Sequence, residues 1–291
     1  MSRPRVIQQI IEPQPVTEGA GVHLQRTFPS SALDYLDPFL LLDDFSSDNP
    51  DDYIAGFPMH PHRGIETVTY MLEGVVRHRD TLGNSGTIGA GDVQWMTAGG
   101  GIMHEEMPEQ TQGRLAGFQL WVNLPARHKM MPPRYQDISA TQIPETTTDS
   151  GVKIRVVTGQ VGDQQGPVAD IVVQPLYLDI TMPPGSSFTQ PIEPDHTAFA
   201  YLFEGTASFG ADVQGKTHEI AASKLVIWGD GECVEVQTST RGARFLLIAG
   251  QPLHEPIARY GPFVMNTRQE ILQALEDLRN DTFVYESRSS R

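Results

Sequence analysis

Short runs in which apolar and polar residues alternate dominate this chain, and each run is bounded by Gly, Pro, Asn or Asp. Alternation with a period of two is typical of strands that bury one face, and frequent turn residues keep such strands short. Gly and Pro supply 27 and 22 of the 291 residues, which is enough for many turns. Runs of this kind begin at Ile65, Phe118, Ile154, Leu176, Phe199 and Phe245. The pattern predicts an all-β fold of sandwich or barrel type, because regularly alternating helices are missing.

One convincing helix is predicted, near the C-terminus. Thr267 and Glu270 have the spacing of a capping box, which satisfies backbone donors at a helix start. Four apolar residues follow at helical spacing, namely Ile271, Leu272, Leu275 and Leu278. We expect this helix to pack against the sheets as a structural element.

The order strand, Glu-Gly turn, strand and tryptophan occurs twice in the sequence. The first copy runs from Tyr70 to Trp95, and the second runs from Tyr201 to Trp228. Two similar β modules are the economical explanation of such a repeat. The polar stretch 132–151 is the best linker candidate. We therefore predict an N-terminal domain at 1–131 and a C-terminal domain at 152–291 that ends in the helix.

Charge and cysteine content exclude several classes of function. The chain carries 21 basic and 36 acidic residues, a net charge of −15, which disfavours direct binding to nucleic acid but suits a basic protein partner. No apolar stretch is long enough to span a membrane, and the N-terminus has no apolar signal core. Cys233 has no second cysteine to pair with, so we expect a cytoplasmic protein, and we expect a monomer.

Two pairs of candidate metal ligands have the spacing of neighbours on one face of a strand. His60 and His62 flank Pro61, which cannot donate to a ladder and therefore favours an edge strand. His104 and Glu106 repeat the same spacing farther along the chain. If the two pairs lie on facing strands, they form a site of three nitrogens and one oxygen. The alternative is a metal-free β scaffold in which these histidines are surface or hydrogen-bonded residues.

The remaining polar signals are weaker. Gly99–Gly101 precedes His104 and predicts a sharp turn, while the lack of a following Lys-Ser or Lys-Thr argues against a phosphate loop. The other histidines lack a partner at ligand spacing and are interpreted as surface or structural residues: His23, His78, His128, His196, His218 and His254.

At these residues the sequence resembles the cupin superfamily and, within it, the pirin family. The first cupin motif appears as Gly56, His60, His62, Glu66 and Gly74 in that order. The second motif is looser, with Thr97 at its usual proline. The resemblance to pirins is closer, covers most of the chain, and lies in the segments 37–43, 60–64, 91–99 and 119–125 together with His104 and Glu106.

The resemblance implies two consecutive cupin barrels, of double-stranded β-helix or jelly-roll type, with iron in the N-terminal barrel. The family's ligands carry over onto His60, His62, His104 and Glu106. Glu66 is the carboxylate ligand in many cupins, but pirin-like proteins use the later glutamate, so we expect Glu66 to support the structure. The expected metal is Fe(II), and Mn, Co, Ni, Cu or Zn can take its place where they are more available.

The resemblance also implies a quercetin 2,3-dioxygenase, which opens the central ring of flavonols with O2 and releases carbon monoxide. Glu106 is then the candidate catalytic base. The planar aromatic substrate needs apolar walls, for which Phe57, Met59 and Trp121 are candidates, although each is more often a core residue. The alternative function, known in some pirin-like proteins, is a non-enzymatic regulator whose iron redox state controls binding to a protein partner.

The second module lacks the ligands. Aligning the two Glu-Gly turns and the two tryptophans places four residues at the ligand positions: Pro191, Glu193, Gln237 and Ser239. This set predicts that the C-terminal barrel binds no metal.

Overall fold

The structure is a computed structural model that describes residues 2–285. Its strands, numbered along the chain, are β1 (Ile7–Ile11), β2 (Gln14–Glu18), β3 (Val22–Phe28), β4 (Phe39–Asp44), β5 (Phe57–His62), β6 (Ile65–Glu73), β7 (Val76–Asp80), β8 (Ser85–Ile88), β9 (Val93–Thr97), β10 (Ile102–Pro108), β11 (Ala116–Asn123), β12 (Arg134–Ile138), β13 (Glu145–Thr147), β14 (Lys153–Thr158), β15 (Gln160–Val161), β16 (Gln164–Gln165), β17 (Leu176–Met182), β18 (Ser187–Pro191), β19 (Thr197–Ala207), β20 (Ile220–Ala221), β21 (Lys224–Trp228), β22 (Cys233–Gln237), β23 (Ala243–Gly250), β24 (Ala258–Tyr260) and β25 (Phe263–Met265). Single 3-10 turns lie at Pro50–Asp52, Ala126–His128 and Ala140–Gln142, and α1 spans Arg268–Arg279. The expectation of an all-β fold of two cupin barrels with a short C-terminal helix is confirmed.

The chain divides into two compact units that alternate along the sequence. The first barrel consists of residues 14–140 and 253–285, and the second barrel consists of residues 2–13 and 141–252. These units depart from the boundaries predicted at 131 and 152. The supposed linker carries β12, which pairs with β9, and β13, which pairs with β14. Its polar composition is that of exposed edge strands, which the composition alone could not distinguish from a linker.

Two antiparallel sheets form the first barrel. One has the order β12-β9-β6-β11-β4-β3-β2, and the other has the order β5-β10-β7-β8. Both sheets contribute to one core, where Leu24 of β3 and Met71 of β6 pack with Val76 of β7 and Ile88 of β8. The alternating pattern of the sequence therefore reflects sheets that bury their inner faces against each other. Pro61 lies on β5, an edge strand, as its missing donor predicts.

The second barrel has its own apolar core. Its main sheet has the order β1-β21-β19-β23-β17-β14-β13, with β20 paired to β19, and the strands β18 and β22 form a separate pair. The sequence repeat is visible in the pairing, since Trp95 lies opposite Val68 in the first barrel and Trp228 lies opposite Ala198 in the second. The core includes Phe188, Phe245 and Trp228.

The helix α1 begins at the predicted capping box. Thr267 accepts from the backbone N–H of Glu270, and the Glu270 carboxylate accepts from the backbone N–H of Thr267. Ile271 and Ala274 are its buried residues, and they pack with Phe263 of β25. The helix therefore belongs to the first barrel, whereas the sequence assigned it to the C-terminal domain.

No helix in the described part of the chain is long and apolar enough to cross a membrane.

Candidate metal centre

Three histidines meet inside the first barrel. The antiparallel register of β5 and β10 puts His60 directly opposite His104, and His62 lies on the same face of β5 as His60. The ring centroids are 4.4 Å apart for His60 and His104, 4.9 Å for His60 and His62, and 5.0 Å for His62 and His104. One nitrogen from each ring can be chosen so that all three lie within 4.8 Å of one another. The period-2 spacing thus brings together the histidines that it predicted.

The hydrogen bonds of these rings leave lone pairs pointing at a common centre. His60 Nδ1 lies 2.9 Å from the carbonyl oxygen of Pro58 and donates to it, so His60 Nε2 carries a lone pair. That Nε2 lies 3.1 Å from His62 Nε2. Both ring nitrogens of His104 are buried without a hydrogen-bond partner. Buried polar atoms without partners are rare, and a cation between the rings would satisfy one of the two His104 nitrogens, so the donor set fits a metal.

Electrostatics keep these rings in the form that binds metals. Burial, and next the neighbouring His60 ring, lower the pKa of His62 well below its ordinary value. Burial likewise lowers the pKa of His104, and the rings of His62, His60 and His78 add to the effect. Both imidazoles are therefore neutral at pH 7, which is the protonation state that ligates a metal.

Glu106 is buried and lines the same cavity as His60 and His62. The register of β5 and β10 shifts beside it, so that the four residues of β5 from Phe57 to His60 lie opposite the three of β10 from His104 to Glu106. Such a bulge redirects side chains and is common next to functional sites. The Oε1 atom of Glu106 lies 2.6 Å from Thr69 Oγ1.

Glu66 lies on the other face of its strand. It is an odd number of residues from Thr69 along β6, and Thr69 is the residue that contacts Glu106 in the cavity. Glu66 is fully buried and accepts from Thr97 Oγ1 at 2.7 Å. Burial raises its pKa to about 7, although the Thr97 and Trp95 side chains oppose this shift. Glu66 therefore does not line the metal-facing cavity.

The cavity beside the histidines has a volume of about 510 Å³. Its apolar walls include Leu24, Leu41, Phe45, Tyr53 and Leu115. Two of the predicted wall residues, Phe57 and Trp121, also line it. Met59 does not line the cavity and is 38% exposed, because alternation along β5 turns it away from the side that carries His60.

Charged groups stand on the cavity wall as well. Arg26 holds the Asp43 carboxylate through two hydrogen bonds of 2.8 and 2.7 Å. The guanidinium carbon of Arg259 lies 5.0 Å above the Trp121 ring, and that ring meets the His62 ring edge-on at 5.1 Å. Trp121 therefore lies between the histidine cluster and the guanidinium of Arg259 on the cavity wall. Neither arginine was singled out by the sequence, since isolated arginines carry no local pattern.

A buried ion pair holds the ligand strand against the C-terminal segment. Arg63, next to His62, is 3% exposed and donates to Asp277 on α1 at 2.6 Å. It also donates to the carbonyl oxygen of Phe283 and lies 4.4 Å above that ring. Gly101 reaches the same segment with a φ of +142°, and a Cβ there would stand 2.2 Å from the Phe283 oxygen. The glycine run thus serves as a close-packing turn.

Of the six remaining histidines, His78 is the one nearest the cluster. It is fully buried, its ring centroid is 5.4 Å from that of His104, and it stacks on Tyr135 at 4.8 Å. Its Nε2 lies 3.4 Å from Asp80. His78 is therefore an interior residue of the first barrel that packs behind His104.

The corresponding strands of the second barrel, β18 and β22, carry one side chain of metal-binding type at a buried position, the lone Cys233. Phe188 lies opposite Val236, and Gln190 lies opposite Val234, with Phe188 and both valines in the apolar core. The four residues that the sequence alignment placed here are all exposed, namely Pro191, Glu193, Gln237 and Ser239. The connection from β18 to β19 is longer than the connection from β5 to β6, so aligning the two Glu-Gly turns does not align the end of β18 with the end of β5.

Comparisons with known proteins agree with the fold. The family profile described as Pirin matches residues 21–122, and the profile described as Pirin C-terminal cupin domain matches residues 177–284. A Pseudomonas aeruginosa protein, provisionally named a quercetin 2,3-dioxygenase, is 46% identical over 96% of this chain and 98% of its own length. A pirin-like protein of Caulobacter vibrioides is 45% identical over 96% and 99%.

A solved structure is similar over nearly the whole chain. The crystal structure of quercetin 2,3-dioxygenase from Acinetobacter baumannii superposes with a TM-score of 0.86 at 34% identity, covering 96% of this chain and 98% of that one. The likeness extends to both barrels, since it covers nearly all of each protein.

Proposed function

Because this chain belongs to the pirin family, we propose that it is a metal-dependent dioxygenase that cleaves flavonols of the quercetin type. One observation carries the proposal. The cluster of His60, His62 and His104 lies beside a mostly apolar cavity of about 510 Å³ that His60 and His62 line, and this enclosure suits a planar aromatic molecule. The similar proteins of Pseudomonas aeruginosa and Acinetobacter baumannii carry the name quercetin 2,3-dioxygenase, which supports this substrate class.

The residues that would hold the metal are His60, His62, His104 and Glu106. Three neutral nitrogens and one carboxylate leave one positive charge on a divalent ion, and the set suits Fe(II), with Mn, Co, Ni, Cu or Zn as substitutes. The bound metal would supply Lewis acidity toward the flavonol oxygen and a redox centre for O2.

The chain's own residues prepare the substrate. Glu106 takes the proton of the flavonol 3-hydroxyl, since the other two carboxylates that line the cavity, Glu18 and Asp43, are paired with Arg26. Phe57 and Trp121 contact the planar rings, and the apolar walls exclude water from the reacting face. The same enclosure limits the substrate to one that can bury most of its surface.

The test is a metal-dependent assay of flavonol loss. Purified protein is loaded anaerobically with Fe(II), checked for one metal per chain, and mixed with quercetin and air. We expect the flavonol absorbance to fall, and we expect His104→Ala to lose at least about 100-fold in rate because a ligand is removed. His196→Ala, in the second barrel, is the matched control and should match the wild type. Metal-loaded wild type that leaves quercetin intact would reject this function.

Metal binding without turnover would favour the other function considered for the sequence, a redox-sensing regulator. That role is tested by recovering protein partners with Fe(II)-loaded and Fe(III)-loaded protein. Different partners in the two states would support it, and equal recovery would remove it. In either case we propose that the protein is cytoplasmic, because a chain with one cysteine suits a reducing compartment. We also propose that it is a monomer.

A further inference from the structure

A short chain of polar side chains ends on Glu106. Thr69 lies on β6 and Gln119 lies on β11, and the register of these strands places the two residues directly opposite each other. Thr69 Oγ1 lies 2.6 Å from Glu106 Oε1 and 2.8 Å from the side-chain oxygen of Gln119. All three residues line the cavity, and Thr69 is 3% exposed.

The number of available hydrogens fixes which group donates and which accepts in this series of hydrogen bonds. A threonine hydroxyl has one hydrogen, so it cannot donate to Glu106 and to Gln119 at once. A carboxylate can only accept, whereas a half-turn of the Gln119 amide presents its NH2 group in place of its oxygen. The consistent arrangement is that Gln119 donates to Thr69 and Thr69 donates to Glu106. The Thr69–Glu106 distance of 2.6 Å is that of a charge-assisted O–H···O bond.

We propose that Thr69 and Gln119 are positioning residues that hold Glu106 in one orientation, with Oε1 bound to the Thr69 hydroxyl and Oε2 left for the metal or the substrate. The proposal rests on the proposed function in one respect, the role of Glu106 at the metal. It assigns the carboxylate to single-oxygen ligation, since its other oxygen is already used. Neither positioning residue touches the histidines through a hydrogen bond in the described structure, so their effect must pass through Glu106.

The first measurement is affinity for Co(II), together with the visible spectrum of the bound ion, which reports its ligand set. We expect Thr69→Val to weaken Co(II) binding by about 10-fold, the usual effect of removing a hydrogen bond to a ligand, and to change the spectrum. Thr69→Ser keeps the hydroxyl and should restore both to within about 3-fold. Thr67→Val is the matched control, because Thr67 is equally buried on the same face of β6 and does not line the cavity.

A double-mutant cycle separates positioning from a structural effect. If Thr69 acts through Glu106, then Thr69→Val should change Co(II) affinity by less than about 2-fold in the Glu106→Gln background. An equal loss in both backgrounds would overturn the proposal, and so would an unchanged affinity and spectrum in Thr69→Val alone. Gln119→Met should lower affinity less than Thr69→Val, and the reverse order would contradict the direction of the chain.

These readouts do not use quercetin, so they remain decisive if the flavonol assay fails. Where turnover is measurable, Thr69→Val should lower kcat by about 10-fold or more and change KM by less than about 3-fold, because the substrate walls are intact. A rise in KM with unchanged kcat would assign Thr69 to substrate binding instead.

Discussion

Two glutamates of the first barrel show how the face of a strand on which a residue lies gives different roles to side chains of the same type. Glu106 is turned into the cavity with the histidines, whereas Glu66 is buried on the opposite face of β6. Thr97 donates to one oxygen of Glu66, and burial raises the pKa of this carboxyl to about 7. The general cupin pattern would favour Glu66 as ligand, but in this barrel it is a protonatable group inside the protein.

Replacing Glu66 by glutamine should stabilise the metal-free protein at high pH. A carboxyl with a raised pKa contributes its full stability below its unfolded value, about 4.3, and loses it as pH rises through 7. We expect Glu66→Gln to raise the free energy of unfolding by about 3 kcal/mol at pH 8 and by only about 1 kcal/mol at pH 5. Urea unfolding at both pH values measures this.

The control for this change is Glu73→Gln, at the exposed end of the same strand. It should show no comparable difference between pH 5 and pH 8. A Glu66→Gln effect that does not vary with pH would mean that Glu66 is charged throughout this range.

At the scale of elements, the paired strands β5 and β10, which carry the histidine cluster, are held by the C-terminal segment. Arg63 follows His62 directly and reaches α1 and Phe283, and Gly101 lies against the same segment just before His104. Both strands that carry the histidines are therefore held in place by residues that come after 252 in the chain.

Asp277→Asn should destabilise the first barrel by about 2–4 kcal/mol, because it leaves the buried Arg63 guanidinium without its counter-charge. Glu276→Gln, one residue earlier and exposed, is the control and should change stability by less than about 0.5 kcal/mol. Equal midpoints of thermal unfolding for the two variants would show that the ion pair contributes nothing to stability.

Gly101→Ala should cost about 2–4 kcal/mol, since it combines a left-handed backbone with a Cβ 2.2 Å from the Phe283 oxygen. Gly83→Ala isolates the backbone part, because Gly83 has a φ of +89° and nothing within 4 Å of the added Cβ. We expect the loss at Gly83 to be near 1 kcal/mol. The difference between the two variants in urea unfolding measures the contact.

Local patterns in the sequence were enough to predict some features of the fold and the site, but not others. His60 and His62 could be placed on one face because strand geometry is local, and Thr267 with Glu270 marked the start of α1 for the same reason. The Arg63–Asp277 pair spans 214 residues, so no local period reveals it. The bulge beside Glu106 is also a property of two paired strands, which one strand's sequence does not show.

At the scale of the whole molecule, the two barrels have the same plan, but their interiors differ in polarity where the corresponding strands meet. The first has polar groups and a cavity where β5 meets β10, and the second has Phe188 against Val236 where β18 meets β22. Metal chemistry is therefore expected in only one of the two units.

Metal binding should protect one barrel from hydrogen exchange. At a metal concentration 100 times the Kd, linkage adds about 2.7 kcal/mol to the state that binds. We expect amides of β5 and β10 to exchange at least about 10-fold more slowly with Co(II), and amides of β18 and β22 to be unchanged. His104→Ala should remove the protection. Equal protection of both strand pairs would place a ligand site in the second barrel.

The alternation of the two units along the chain restricts how this protein could be shortened. Removing everything after residue 140 deletes most of the second barrel, but it also deletes Asp277 and Phe283, which anchor Arg63. Removing residues from the N-terminus reaches 14–140 before 141–252. A single early stop codon or late start therefore cannot yield an intact first barrel, so the loss of the second barrel in evolution would need an internal deletion and a new junction.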